Sequence, residues 1–186
     1  MYECSPNQLG PGVGAPPPRH VGGRIVYADY DGCVHPSDVY WRPRTGPFLM
    51  NCPGHSLFEH AALLERELTP YPEVRLVLST SWVLRYRGSV RRVAARLGPS
   101  LAARVVGATF HSGMNRADFE WASRGQQVWA DVIRRKPRAW LALDDDVHGW
   151  PLWCQSHLVQ CDPMYGLSTP DALAQLRHLL EEMHKL

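Results

Sequence analysis

Apolar residues along this chain gather in short bursts, and most of the bursts end abruptly at acids, hydroxyls or other polar groups. Ile25, Val26, Tyr27 and Ala28 form the first, a run with β-branched and aromatic members that reads as a buried strand. Val74–Ser79, Trp140–Leu143 and His157–Gln160 repeat the pattern, and Arg104–Ala108 repeats it more weakly. Between these runs the period lengthens. A helix is expected over Ser56–Leu68, with Ser56 and Glu59 spaced as in a capping box and Leu57, His60, Ala61, Leu64 and Leu68 on one face. Others are expected over Ser89–Leu97, over Gly125–Arg135 with Val128, Trp129, Val132 and Ile133 sharing a face, and over Thr169–Lys185. In the last, Thr169 is the expected cap and Pro170 occupies the first turn. Strands alternating with helices predict an α/β fold built on a doubly wound, mainly parallel five-stranded sheet.

Two stretches carry no period. Residues 1–23 are rich in Pro and Gly and are expected to form a disordered tail, leaving 24–186 as the folded domain. Residues 36–55 are irregular, with Pro, Gly and aromatics; they are too short for a separate cap domain and suit a flap.

Composition narrows the class. A chain of 186 residues, 45% hydrophobic, suits one domain with a proper core. No run is long enough to span a membrane and no apolar signal segment follows the first residues. Cys4, Cys33, Cys52, Cys154 and Cys161 form no regular framework, which together with the missing signal points to a reducing cytoplasm. The net charge of +2 does not demand a nucleic-acid partner. The basic residues are nearly all Arg, Lys136 and Lys185 being the exceptions, and Arg suits planar phosphate recognition.

Candidate chemistry sits at the ends of the apolar runs. Asp29 and Asp31 flank one residue after the first strand, with Gly32 behind them to turn the backbone. Alternation along an extended chain sends both carboxylates to one side, where a divalent cation would keep both ionised. An ordinary Asp-Gly turn is the bland alternative. Ser79, Thr80 and Ser81 end the second strand, Asp144, Asp145 and Asp146 end the fourth, and Arg124 or Lys136 supplies a cation between them. In a parallel sheet these strand ends share an edge. A carboxylate nucleophile, a metal held by acids from two strands, a hydroxyl and a cation together make a phosphoryl-transfer site.

The series IVYADYDGCVHP, RLVLSTSW, RGQQVWADVIRRKPRAWLALDDD and LVQCDPMYGLS resembles the haloacid dehalogenase (HAD) superfamily of phosphohydrolases, over about residues 24 to 183. It is most similar to small, capless HAD domains of multidomain RNA-repair proteins. The resemblance implies a Rossmann-like fold and a Mg²⁺-dependent phosphatase. It makes Asp29 the nucleophile and Asp31 the acid and then the base. It implies that Mg²⁺ is held by Asp29, the backbone carbonyl of Asp31, and Asp145, with Asp144 as alternative or outer support. Thr80, or next Ser79, would bind a phosphoryl oxygen, and Arg124 would take the place where the superfamily usually has Lys.

Other signals rank lower. Cys33, His35, Cys52 and His55 are spaced too irregularly for a structural zinc site, and His35 is expected at the surface. Arg85, Arg87, Arg91, Arg92 and Arg96 read first as a solvated face, with phosphate contact as the alternative. The tryptophans read as core or rim. The expected substrate is a phosphate monoester on a nucleotide or a nucleic-acid end, with no membrane partner. A non-catalytic phosphate- or nucleic-acid-binding module and a phosphotransferase are the rivals.

Overall fold

The computed structural model describes residues 17–186. Its centre is β1 (Arg24–Ala28), and β4 (Val74–Leu78), β5 (Val105–Ala108), β6 (Ala139–Asp144) and β7 (Leu158–Gln160) complete a five-stranded sheet. The order is β5-β4-β1-β6-β7 and every pairing is parallel. Arg24 lies opposite Val74 on one side and Ala139 on the other, and Ala28 opposite Leu78 and Leu143. The chain builds outward from β1 to β5, then returns to the other side of β1 for β6. That reversal leaves a crevice at the carboxyl ends of β1 and β6, where ligands bind in open α/β sheets.

The alternation within β1 explains why it is apolar on both faces. Ile25 and Tyr27 pack with Val77, Trp140 and Ala142 under α6 (Arg124–Arg135), through Val128. Val26 faces the other layer with Leu76, Leu78, Leu141 and Leu143. There it meets Leu64 and Leu68 of α1 (Ala61–Leu68), Val93 of α3 (Val90–Ala94), Leu101 of α4 (Pro99–Arg104) and Leu176 and Leu180 of α7 (Pro170–Lys185). A strand covered on both sides has no polar face to spare, as parallel sheets require. No helix among the described residues is long and apolar enough to cross a membrane.

The first expected helix is shorter than its sequence pattern. It starts at Ala61, not Ser56, although Glu59 still accepts the Ser56 N–H at 3.1 Å. Phe58 takes a φ of +63°, which breaks the helix, and its ring enters a cluster with Tyr30, His35 and Trp82. Tertiary packing overrides the local signal. The irregular segment contains an antiparallel hairpin of β2 (Val39–Arg42) and β3 (Gly46–Leu49). Two further pieces, α2 (Trp82–Arg85) and α5 (Arg116–Trp121), are too short to show a helical period. The third and fifth strands begin one residue late. Arg104 closes α4 and donates to the carbonyls of Leu68, Tyr71 and Val74, while His157 stacks on Trp140 at 4.2 Å. The fourth gains a residue at each end, so Asp144 belongs to the strand. Thr169 precedes α7 as expected but its hydroxyl makes no capping bond.

Most of the expected tail, with Cys4, lies outside the described residues. Its last part is tied to the domain: the Gly22 N–H donates to the Arg135 carbonyl, and Arg135 Nη1 donates to that of His20.

Candidate active site

Asp29 follows directly on β1, and Asp144 and Asp145 end or follow β6. Their carboxylates converge, with one oxygen from each lying within 4.8 Å of the others. Among the described residues this is the group of acids, cysteines or histidines placed to hold a metal ion. The neighbouring strands hold it in register: the Asp29 N–H donates to the Leu143 carbonyl at 3.2 Å. Gly32 is part of the same contact. It has a φ of +71°, and a methyl group there would fall 2.2 Å from the Asp145 Cγ.

Such a group resists full ionisation. Two carboxylates about 4 Å apart repel by about 4 kcal/mol at an effective dielectric of 20, equivalent to about three pKa units. Burial, then the Asp29 charge, pushes the Asp144 carboxyl up to about 8 and the Asp145 carboxyl up to about 6. Asp29 is also raised, chiefly by burial; Arg124 pulls it back, and hydrogen bonds from the Tyr30 N–H and Thr80 help. The Tyr30 N–H donates to Asp29 Oδ1 at 2.7 Å.

Arg124, the first residue of α6, faces these acids. Its Nη2 stands 3.2 Å from Asp29 Oδ2 and its Nε 4.0 Å from Asp144 Oδ2. Burial works against its charge, but Asp29 and Asp144 outweigh that and raise its pKa. Lys136 is at the other end of the helix, in a left-handed cap conformation, beside Trp140 and Leu186 in a cleft away from the acids. Within the capping box of α6, Ser123 accepts the Gln126 N–H at 3.2 Å.

Three residues that position Arg124 and Asp144 escape the sequence reading. Gln127 Oε1 accepts from Arg124 Nη1 at 2.8 Å, while Gln127 Nε2 donates to the carbonyls of Phe119 and Ala122. A Gln at helical spacing from an Arg was the available signal. Trp150 donates from Nε1 to Asp144 Oδ2 at 3.3 Å. It also lies against Gly125, where a Cβ would come within 2.6 Å of the Trp150 Cα. The Ser123 hydroxyl donates to the Gly149 carbonyl at 2.7 Å. The loop after β6 is thus docked onto the start of α6.

Asp31 departs from the expected arrangement. Its carboxylate is outside the three-acid group and accepts from Trp82 Nε1 at 2.8 Å and from His35 Nε2 at 3.1 Å, both on Oδ1. Alternation fails because the chain is no longer extended: the Cys33 and Val34 N–H groups both donate to the Tyr30 carbonyl. His35, expected at the surface, is fully buried against Phe58 and Trp82. It supports Asp31. Thr80 is buried, with its Oγ1 accepting the Trp82 N–H at 3.3 Å, and the buried Ser79 hydroxyl has no partner among the described residues. The free Cys33 thiol hydrogen-bonds with that of Cys161 and the Cys52 thiol donates to the Met50 carbonyl, and neither belongs to a metal-binding group among the described residues.

The donors of the three-acid group are all carboxylate oxygens, without sulfur or imidazole. That set fits a hard divalent cation such as Mg²⁺ and does not favour zinc. The model of the family described as the HAD domain in Swiss Army Knife RNA repair proteins matches residues 25–172. No curated protein and no solved structure matches.

Proposed function

Because this chain belongs to the family of HAD domains in Swiss Army Knife RNA repair proteins, we propose that it is a Mg²⁺-dependent phosphatase acting on phosphate monoesters. The family supports a phosphohydrolase in general terms. The observation that carries the specific reading is Asp29 held between Arg124 and two further acids at the carboxyl edge of β1 and β6.

The nucleophile is a carboxylate oxygen of Asp29. It attacks phosphorus as the ester P–O bond breaks, giving an aspartyl-phosphate and a leaving oxygen that takes a proton from Asp31. Asp31 then accepts a proton from the water that attacks the aspartyl-phosphate, releasing inorganic phosphate and restoring both carboxyl groups. Trp82 and His35 hold one oxygen of Asp31, and the other carries the proton. Arg124 and the Thr80 hydroxyl face the phosphoryl oxygens, where preorganised donors contribute most. Asp29, Asp144 and Asp145 would hold Mg²⁺ with the backbone carbonyl of Asp31, and the ion would supply positive charge to the phosphoryl oxygens.

The insertion after β1 carries a hairpin and α1 and no separate cap domain. This supports a substrate whose phosphate terminates a larger molecule, a nucleotide or a nucleic-acid end. The buried free thiols of Cys33, Cys52, Cys154 and Cys161 accord with a reducing compartment. A Mg²⁺-supplemented screen of nucleotides, sugar phosphates and phosphate-ended oligonucleotides tests the reading. It expects phosphate release that EDTA stops; a purified, folded, Mg²⁺-loaded protein that releases none from any class would sink it.

A further inference from the structure

The β2–β3 hairpin and the α2–α3 segment enclose a cleft of about 400 Å³. Arg42, Arg44, Arg85, Arg87, Arg92 and Arg96 line it, with no acidic residue among the lining. None of the six has a carboxylate within 4.0 Å among the described residues. An ordinary solvated face mixes signs; this one gathers a single sign in a concave wall, which concentrates its field.

The arginines are also pre-positioned. Arg85 lies over Trp41 at 5.4 Å, Arg92 over Tyr86 at 5.2 Å, and Arg96 Nη2 donates to the Tyr86 hydroxyl at 2.8 Å. Arg44 and Arg87 hold left-handed backbone conformations, with φ of +71° and +55°. Glycine would adopt these without strain, yet both positions carry a long cation pointing to the same cleft. Trp41 and Tyr86 add half-buried aromatic rings to the wall.

The cleft is joined to the chemistry by two routes. Arg85 also lines a second cleft, of about 390 Å³, that reaches Arg124 by way of Ser81 and Arg116. Trp41 packs on Trp82 at 5.0 Å, and Trp82 is the donor to Asp31.

We propose that this arginine cleft is a track for the phosphate backbone of a single-stranded nucleic acid, with Trp41 and Tyr86 holding Arg85 and Arg92 in place along its wall. Cationic walls interleaved with aromatic rings are the chemistry that holds single strands irrespective of sequence. A lipid surface would meet a broad convex face, which this is not. That the strand's terminal phosphate is presented at Asp29 rests on the proposed phosphatase activity; the binding itself does not.

The test separates the two. Fluorescence polarisation of a labelled oligouridine with hydroxyl ends, in EDTA, measures binding without turnover. The wild-type protein is expected to bind with salt-dependent affinity, the log–log slope shrinking by about 0.7 for each phosphate contact removed. Arg87→Gln/Arg92→Gln/Arg96→Gln is expected to weaken binding at least about tenfold, with hydrolysis of p-nitrophenyl phosphate in Mg²⁺ unchanged. Arg44→Gly/Arg87→Gly removes two charges while relieving two strained backbones, so weaker binding without a lower melting temperature excludes unfolding as the cause. Undiminished binding in both variants overturns the track, as does binding to phosphatidylserine vesicles without binding to oligouridine. A protein that binds oligouridine through these arginines but hydrolyses no phosphate ester keeps the track and loses only the activity.

Discussion

Gly32 abuts Asp145 so closely that a methyl group on its Cα would stand 2.2 Å from the Asp145 Oδ2. Gly32 therefore makes room for the acid that follows the neighbouring strand β6, besides turning the chain. Gly32→Ala adds this clash to a left-handed φ that costs an L residue about 1 kcal/mol. The expected outcome is Mg²⁺ affinity lowered by about tenfold or more, as when the support of a metal ligand is lost. Calorimetric titration of the purified variant checks it, and wild-type affinity would detach Gly32 from the acid group.

Asp29→Asn keeps the shape of the nucleophile but not its reactivity. Turnover is expected to fall by at least about a thousandfold, with the fold retained. Asp31→Asn should cost about 10² to 10⁴ in rate, most for alkyl phosphates whose leaving oxygen needs the proton. Stopped assays on both substrate types decide it; wild-type turnover by Asp29→Asn would move the chemistry to another residue.

Arg124 and Lys136 sit at opposite ends of α6. Arg124→Ala should cost about 2 to 3 kcal/mol of transition-state stabilisation, comparable to losing one preorganised donor, and Lys136→Ala should be nearly silent. Gln127→Leu, which frees the Arg124 guanidinium, should fall between them. The ranking of kcat/KM across the three variants is the measurement. An active Arg124→Ala beside a crippled Lys136→Ala reverses the assignment.

The strand ends were readable in the sequence because each depends on a few adjacent residues: an apolar run, then its acids or hydroxyls. That local pattern carries β1, β4 and β6, and with them Asp29, Thr80, Asp144 and Asp145. The Asp31 carboxylate lies outside the three-acid group because the chain turns after Tyr30, where the alternation of an extended strand no longer holds. Phe58, His35 and the Gly125–Trp150 contact were hidden for a different reason. Each takes its position from a partner on another element, and no period or spacing records that.

The raised acids give a pH signature to the metal-free protein. Burial and the Asp29 charge lift Asp144 from 3.8 to about 8 and Asp145 from 3.8 to about 6. The folded state then holds protons that the unfolded chain has released, so stability falls as pH rises from about 4 to about 8. Mg²⁺ replaces those protons, and the stabilisation it brings should grow over the same interval. Melting curves in EDTA and in Mg²⁺ at a series of pH values test this. A metal-free midpoint that climbs through the window contradicts the sign.

Trp82 is core and chemistry at once, fully buried and bonded to Asp31. Trp82→Phe keeps an aromatic ring and removes the donor together with part of the indole's bulk. A hydrogen bond to a charged group contributes about 1.5 to 3 kcal/mol, so turnover of an alkyl phosphate should drop about tenfold or more. p-Nitrophenyl phosphate, which leaves without help, should be little affected. Undiminished turnover of the alkyl phosphate would make Trp82 a packing residue alone.

The seating of Trp150 on Gly125 bears on how such a sequence can drift. A larger residue at 125 cannot be accommodated by shrinking the indole, because the interfering atoms include the Trp150 backbone and the same ring bonds Asp144. Repairing the fit would sever the acid from its donor, and keeping the donor forbids the fit. The two positions are therefore frozen together, and homologous chains that depart from one should be found to have rebuilt the whole loop that follows β6 and docks on the helix presenting the arginine.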